Sequence, residues 1–480
     1  MAREDSSQKS KGEGVKALFH AVFWTVATFI VSGCTTVGPD FVSPSPELPK
    51  EFKSAEQNSS TEVLSRWWEK LNDSTLNALV ERALKQNKEI AIAAAKNESF
   101  MAQLGIANAN FFPQLSAGAS ASTQQLSTTT SNRSSSFNSH ATTYGLGLSM
   151  SQYEIDFWGK YARAEESAKA ALLASSYAQQ LVRSSVVANV VSTYNTLLSQ
   201  HVLLENAHKN RLLAQQIASI SQAKWNQGVG SYGDVLQAGA SADEASSKIS
   251  PIEAKIAALQ ILLSTLSGEF PKEFVMRKGY LSLPSIEIPA GIPSTLLKRR
   301  PDILAAESSW HAANASIGVA KAAYFPSFSL TGILGLQSAE LTKLLESPSS
   351  MWQIVPSVTL PIFTAGRIEG EVNMAKARTK EAELQYEQTL LVAFGEVENA
   401  LKERQTLLAE GNALASAQKK YIQAESISKA EYENGKTAYL PLLILRQSLL
   451  TNENQLVLNE EAKRQNFVML CKALGGGWEE

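Results

Sequence analysis

The sequence predicts a mixed α and β membrane protein built by internal duplication, and three observations carry that prediction. The segment Asn110-Phe111-Phe112-Pro113-Gln114-Leu115-Ser116 returns as Ala323-Tyr324-Phe325-Pro326-Ser327-Phe328-Ser329, 213 residues later. After each copy, short stretches alternate between apolar and small polar residues, the period-two mark of a half-buried strand or of a barrel strand. Each copy then leads into a proline-free helical stretch of about 68 residues, which at 1.5 Å per residue would reach about 100 Å. Recurrence over most of a chain is the signature of a repeated architecture.

The N-terminus reads as an address label. Arg3, Lys9, Lys11 and Lys16 precede an apolar stretch from Ala17 to Val31. That core, about 15 residues, is too short to span a bilayer and matches a signal peptide over residues 1–33. It ends in Val31-Ser32-Gly33-Cys34, which resembles a bacterial lipobox. On that reading Cys34 takes a diacylglycerol and becomes the mature N-terminus, and Thr35 after it favours the outer membrane. The plainer reading is an ordinary signal peptide with an incidental cysteine. Each buried lipid methylene holds the protein to its leaflet by about 0.8 kcal/mol. Residues 34–70 then form a lipidated tether, extended and punctuated by prolines from Val37 to Pro49.

The first repeat, residues 71–268, opens with a helical stretch, Asn87 to Ala109. Strands follow near 112–126 and 141–157. In the second, Tyr144, Leu146, Leu148 and Met150 share one face and Thr143, Gly145, Gly147 and Ser149 the other. The Leu115–Ser122 alternation is weaker, alanines against serines. A Ser-rich loop, Ser127 to His140, joins them. Gly159-Lys160 opens a helical hairpin over 159–268, whose long helix ends at Asn226-Gln227-Gly228. Its residues Tyr177, Leu181, Ser184, Ala188, Val191 and Leu198 step by threes and fours, the spacing of an antiparallel coiled coil.

A linker, 269–293, leads to the second repeat, 294–474. A helix from Arg300 to Ala322 precedes strands near 326–337 and 351–363, joined by a loop from Ser338 to Ser350. Phe328, Leu330, Leu334 and Leu336 form one apolar face, and Trp352, Ile354, Val358, Leu360 and Ile362 another. Gly366-Arg367 opens a hairpin over 366–474 that turns at Glu433-Asn434-Gly435, and a short tail, 475–480, closes the chain.

Four strands cannot close a barrel, because the smallest outer-membrane barrels have about eight. Open edges are not tolerated in lipid, so copies must share one barrel. Two, three or four copies would supply eight, twelve or sixteen strands, and only the larger two leave a useful lumen. A soluble β-sandwich is the competing account of the alternation; the lipobox and the Ser-rich connections favour the barrel.

Composition excludes several classes. A net charge of −2 over 480 residues leaves no basic footprint for nucleic acid. No uninterrupted apolar run of about 20 residues follows the N-terminus, which disfavours an α-helical transporter. Gly228-Val229-Gly230-Ser231-Tyr232-Gly233 satisfies a dinucleotide fingerprint literally, yet a helix precedes it where the fingerprint needs a strand. His201, Glu205 and His208 share a helix face, a pattern far commoner as solvated polarity than as a zinc site. Cys471 reads as a small apolar contact. Neither a catalytic set nor a cofactor is expected, apart from the covalent lipid on Cys34.

Several motifs together resemble the outer membrane factor family, TolC-like, and its lipidated OprM/NodT branch of RND-type efflux outer membrane lipoproteins. They are the lipobox followed by Val37-Gly38-Pro39-Asp40-Phe41, and Tyr153-Glu154-Ile155-Asp156-Phe157-Trp158-Gly159-Lys160. Arg299-Arg300-Pro301-Asp302-Ile303, Pro361-Ile362-Phe363, Gly366-Arg367 and Lys472-Ala473-Leu474-Gly475-Gly476-Gly477-Trp478 complete the set.

The resemblance implies a homotrimer sharing one 12-stranded antiparallel β-barrel, continued by a long α-helical coiled-coil barrel across the periplasm. It implies a passive exit duct working with a periplasmic adaptor and an inner-membrane pump of RND type, in contact with outer-membrane lipid. A structural coiled-coil lipoprotein and a duct for type I protein secretion are the alternatives, and a secreted hydrolase has least support. Cargo stays open among drugs, metal cations and polypeptides. An adaptor is expected at the two hairpin turns, Gly228, Gly230 and Ser231 in one and Gly435, Lys436 and Thr437 in the other; the plainer reading is that these residues only make the turns. Glu425, Lys429, Glu431 and Tyr432, with Glu433, form a charged cluster near the second turn, and three copies of it would make a gate; a solvated helix face is the plainer account.

Overall fold

The computed structural model describes residues 36–46, 49, 52, 65–125, 127, 140–273 and 293–477. The signal sequence, Cys34, most of the Ser127–His140 loop, the 274–292 part of the linker and Trp478 lie outside them. In chain order the helices are Ser74–Gln86 (α1), Lys88–Ala109 (α2), Lys160–Asn226 (α3), Tyr232–Ser247 (α4), Ile249–Leu266 (α5), Pro293–Arg299 (α6), Pro301–Ala322 (α7), Arg367–Glu433 (α8) and Tyr439–Ala473 (α9). The strands are Leu115–Gln125 (β1), His140–Ile155 (β2), Ser327–Ser338 (β3) and Ser350–Thr359 (β4). The two long helices, α3 and α8, have 67 residues each.

The two repeats are not the two compact units. One unit joins the chain up to Ser43 with Ser99–Leu173 and Glu307–Leu384; the other joins Pro44–Glu98, Ala174–Ala306 and Gln385–Glu480. Each unit therefore draws on both repeats, as a duplicated chain must when matching elements pack on each other rather than on their own neighbours.

In the first unit the four strands form one antiparallel sheet in the order β1-β2-β3-β4. The central pairing of β2 with β3 joins the two repeats, with Leu148 opposite Leu334 and Gly147 opposite Gly335. The register slips between Met150 and Tyr153, a bulge that places one extra residue on β2.

The second unit holds the main core. Trp67 and Trp68 sit with Leu76, Val80, Val187, Val191, Tyr194, Leu263 and Phe467. Asp73 caps α1 by accepting from Thr75 and Leu76 N–H, and its other oxygen accepts from the buried Tyr194 hydroxyl at 2.7 Å. The return path of the first hairpin is broken at Lys248, between α4 and α5, whereas α9 runs 35 residues without interruption. Pro251 lies in the first turn of α5, where its missing N–H costs nothing.

Residues 34–70, read from the sequence as an extended tether, make specific contacts in their described parts. Val37 N–H donates to Trp158 O at 2.9 Å, and Phe41 stacks on His311 at 4.5 Å and meets Trp310 edge-on at 5.3 Å. Gly38 and Gly318 touch backbone to backbone: a Cβ on Gly38 would lie 2.6 Å from Gly318 Cα. Farther along, Trp67–Leu71 forms a 3₁₀ turn whose tryptophans enter the second unit's core. The segment is extended, and its aromatic residues fix it at points while Val42 beside Phe41 stays exposed.

Candidate functional site

The sheet has two chemically distinct faces, set by cross-strand register. Ala117, Leu148, Leu334 and Trp352 lie side by side on one face, and Leu115, Met150, Gly332 and Ile354 on the next level of the same face. This face is open to the outside: Trp352 is 74% exposed and Ile354 62%. The other face carries Ser116, Ser149, Ser329 and Ser357, hydrogen-bonded in pairs at 2.8 Å and 2.6 Å. Gly118, Gly147 and Gly335 share one level of it, which ends in Met351 of β4. A Cβ on Gly335 would meet Leu146 O at 2.5 Å, so the two strands approach here as only glycine permits. Each edge strand pairs on one side only among the described residues. An apolar outward face, a hydroxyl-lined inward face and two open edges describe a barrel segment lacking its neighbours.

Where β2 leaves the sheet, the Tyr153–Lys160 motif builds a rim. Trp158 Nε1 donates to Pro326 O at 2.7 Å while its ring stacks on Phe325 at 4.7 Å, and Phe157 meets Phe328 edge-on. Asp156 caps α3 by accepting from Tyr161 and Ala162 N–H. Glu154 accepts from both Lys160 Nζ and the Tyr161 hydroxyl. Burial first, then the bond to Glu154, pushes the Tyr161 pKa up to about 12.

A buried arginine holds the N-terminal strap against this rim. Arg163 bonds Val37 O, Asp40 at 2.6 Å and Glu166 at 2.7 Å, and Glu166 also pairs with His311 at 2.9 Å. Burial pushes the Glu166 carboxyl up, but the bonds from His311 and Arg163 outweigh it and hold its pKa below the usual carboxylate range.

The two hairpin turns are built alike, 207 residues apart. Gly228 and Gly435 adopt φ of 71° and 69° and close Schellman-type turns through bonds such as Val229 N–H to Lys224 O and Lys436 N–H to Glu431 O. An aromatic pair brackets each turn: Trp225 with Tyr232 at 5.3 Å, Tyr432 with Tyr439 at 4.8 Å. Space around Gly228 and Gly435 is open, whereas a Cβ on Gly230 would meet Lys224 Cβ at 3.1 Å. Ser231 forms a capping box with Asp234 at the start of α4. Its counterpart Ala438 offers α9 no side-chain cap. Lys436 is exposed and Thr437 half-buried.

Within one chain the residues of the charged cluster are divided among separate pairs. Glu425 is drawn to Arg446 of the returning helix at 2.9 Å, and Lys429 lies 4.0 Å from Glu433. Tyr432 is taken by its pairing with Tyr439. Of the set-aside residues, Glu205 pairs with Lys209 at 2.8 Å, and burial lowers the His201 pKa. Burial pushes the Cys471 thiol well up, in keeping with an inert packing residue. Trp158 lies within the Tyr153–Lys160 motif, whereas Arg163 follows it on α3 and leaves no periodic signal in the sequence, because a buried arginine reads there like an exposed one.

The family model described as outer membrane efflux protein matches the chain twice, over residues 79–269 and 292–476. The chain is 30% identical to the cation efflux system protein CusC of Escherichia coli, covering 94% of this chain and 97% of that one. It is 30% identical to the toluene efflux pump outer membrane protein TtgC of Pseudomonas putida, covering 95% of both. Among solved structures it is similar to the Campylobacter jejuni CmeC outer membrane channel, with a TM-score of 0.82 and 28% identity over 93% of this chain and 96% of that one.

Proposed function

This chain belongs to the outer membrane efflux protein family, and from that premise we propose that three copies share one barrel as the lipid-anchored duct of a tripartite pump. It is an outer membrane efflux channel, of a family of transport proteins rather than enzymes, passing substrates outward through the outer membrane. The carrying observation is the four-stranded sheet with two open edges and an apolar outer face. Three such sheets close a twelve-stranded barrel whose hydroxyl-lined face encloses a wet lumen.

Cys34 carries the lipid in this reading and no other cofactor is required. Thr36, two residues on, packs on Gly159 at the sheet rim, which suits an anchor in the adjacent leaflet. The adaptor docks at the hairpin turns around Gly228 and Gly435. A groove of about 300 Å³ beside them, lined by Ala214, Ile217, Asp234, Ala238, Leu440 and Ile444, offers an apolar seat with a polar rim. The pump is of RND type, and the charged cluster at the second turn belongs to the resting gate.

Mass measurement of the detergent-solubilised protein tests the assembly, and planar-bilayer recording tests the duct. A trimer that conducts ions is expected; a monomer with full helix content, or a trimer without conductance, overturns the reading. A structural lipoprotein would fail the second test. Palmitate labelling lost in Cys34→Ser tests the anchor, and a deletion strain challenged with a panel of toxic compounds identifies the cargo.

A further inference from the structure

The second hairpin contains a polar ladder that the first lacks. Asn452, Asn459 and Asn466 lie seven residues apart along α9, and all three are buried. Their side-chain amides donate across the hairpin to backbone carbonyls of α8: Asn452 to Leu414 at 3.4 Å, Asn459 to Leu407 at 3.1 Å, Asn466 to Ala400 at 2.8 Å. Each heptad forward on one helix is thus a heptad back on the other. Asn459 and Asn466 donate again, to Glu410 and Glu403, each placed three residues beyond the accepting carbonyl. Gly411 leaves room for the middle rung, since a Cβ there would stand 2.6 Å from Asn459 Oδ1.

At the equivalent positions, 207 residues earlier, the first hairpin has Ala245, Ile252 and Leu259. Ala245 is buried, and Ile252 and Leu259 pack against the apolar core. An apolar seam is indifferent to small shifts in register. A buried asparagine is not, because any shift strands its amide; this is how single asparagines specify coiled-coil register at a cost in stability.

We propose that Asn452, Asn459 and Asn466 are positioning residues that pin α9 to α8 in one register, so that the second hairpin swings as one stiff lever while the first flexes at its break near Lys248. Its role in opening rests on the proposed gate at the second turn; the pin itself does not.

Hydrogen exchange of the full-length channel in detergent, with planar-bilayer recording alongside, tests this. In the parent, residues 400–414 and 452–466 should exchange as one cooperative unit. Asn452→Ala, Asn459→Ile and Asn466→Leu combined give the second hairpin the first one's residues. That variant should keep or raise its thermal midpoint, exchange about tenfold faster at 452–466 out of step with 400–414, and show extra conductance levels. Space-filling alone predicts equal or slower exchange, which overturns the pin. Faster exchange with an unchanged conductance record upholds the pin and removes the gate reading instead. If the triple variant does not insert, Asn459→Leu is read by the same exchange criterion.

Discussion

Asn87 and Arg300 stand at matching positions of the two repeats, 213 residues apart, and do the same task with different chemistry. Asn87 Nδ2 donates to Leu266 O at 2.8 Å, and Arg300 Nη1 donates to Ala473 O at 3.0 Å. Those carbonyls belong to the last residues of α5 and α9, where backbone acceptors have no partner within the helix. Asn87 also caps α2 through Glu89 and Ile90 N–H, while Arg300 adds ion pairs to Asp302 at 2.6 Å and Glu396 at 2.8 Å. Burial alone would lower the Arg300 pKa, and the two carboxylates more than restore it.

Removing these links should cost unequal amounts. Arg300→Ala leaves Asp302 without its partner beside an unsatisfied carbonyl and should cost about 3 kcal/mol, the lower end for a broken buried pair. Asn87→Ala loses one cap and one hydrogen bond, about 1–2 kcal/mol. Thermal unfolding in detergent should rank Arg300→Ala below Asn87→Ala; the reverse order would refute the assignment.

Four glycines with positive φ separate fold from function. A Cβ on Gly268 or Gly475 would meet Gln86 O at 2.3 Å or Arg299 O at 2.8 Å, so alanine there should abolish assembly. Gly228 and Gly435 face open space, and alanine there pays only for the left-handed backbone, about 1–2 kcal/mol. Tryptophan at Gly435 should therefore leave trimer yield near normal and stop efflux if the adaptor docks on the turn. Continued export with a normal trimer would move docking elsewhere.

The N-terminal strap should loosen in acid. A folded carboxylate with a depressed pKa stabilises above its unfolded pKa and loses that contribution as pH falls through the folded value. Glu166 behaves this way, facing Arg163 and His311, with Asp40 on the other side of Arg163. Limited proteolysis of the strap should be slow at neutral pH and speed up below the ordinary carboxylate range. Glu166→Gln should raise the neutral rate and flatten that acid limb; an unchanged profile would remove Glu166 from the clasp.

The charged cluster makes a weaker claim, in proportion to its exposure. Glu425 and Arg446 are partly open to solvent, so their pair contributes about 0–1 kcal/mol and cannot close a gate alone. Neutralising Glu425 and Glu431 together should raise single-channel conductance or reduce block by divalent cations. If both stay at parental values, the gate is built from other residues of the turn.

The sequence by itself determined what is periodic and local: the duplication, the four strands, the two long helices and the glycines that reverse each hairpin. These follow from repeat spacing, period two, three–four spacing and the tolerance of glycine for a left-handed turn, all readable from the order of residues. The facing glycines Gly147 and Gly335, the bulge after Met150 and the mixing of both repeats in each compact unit were decided by tertiary structure. So were the strap held by Arg163 and the asparagine ladder. Each depends on which distant segment becomes the neighbour, and a lone asparagine or arginine reads the same in sequence whether water or a buried carbonyl receives its hydrogen bond. The heptad spacing of Asn452, Asn459 and Asn466 stands in the sequence, but only the antiparallel packing of α9 on α8 turns that spacing into a register.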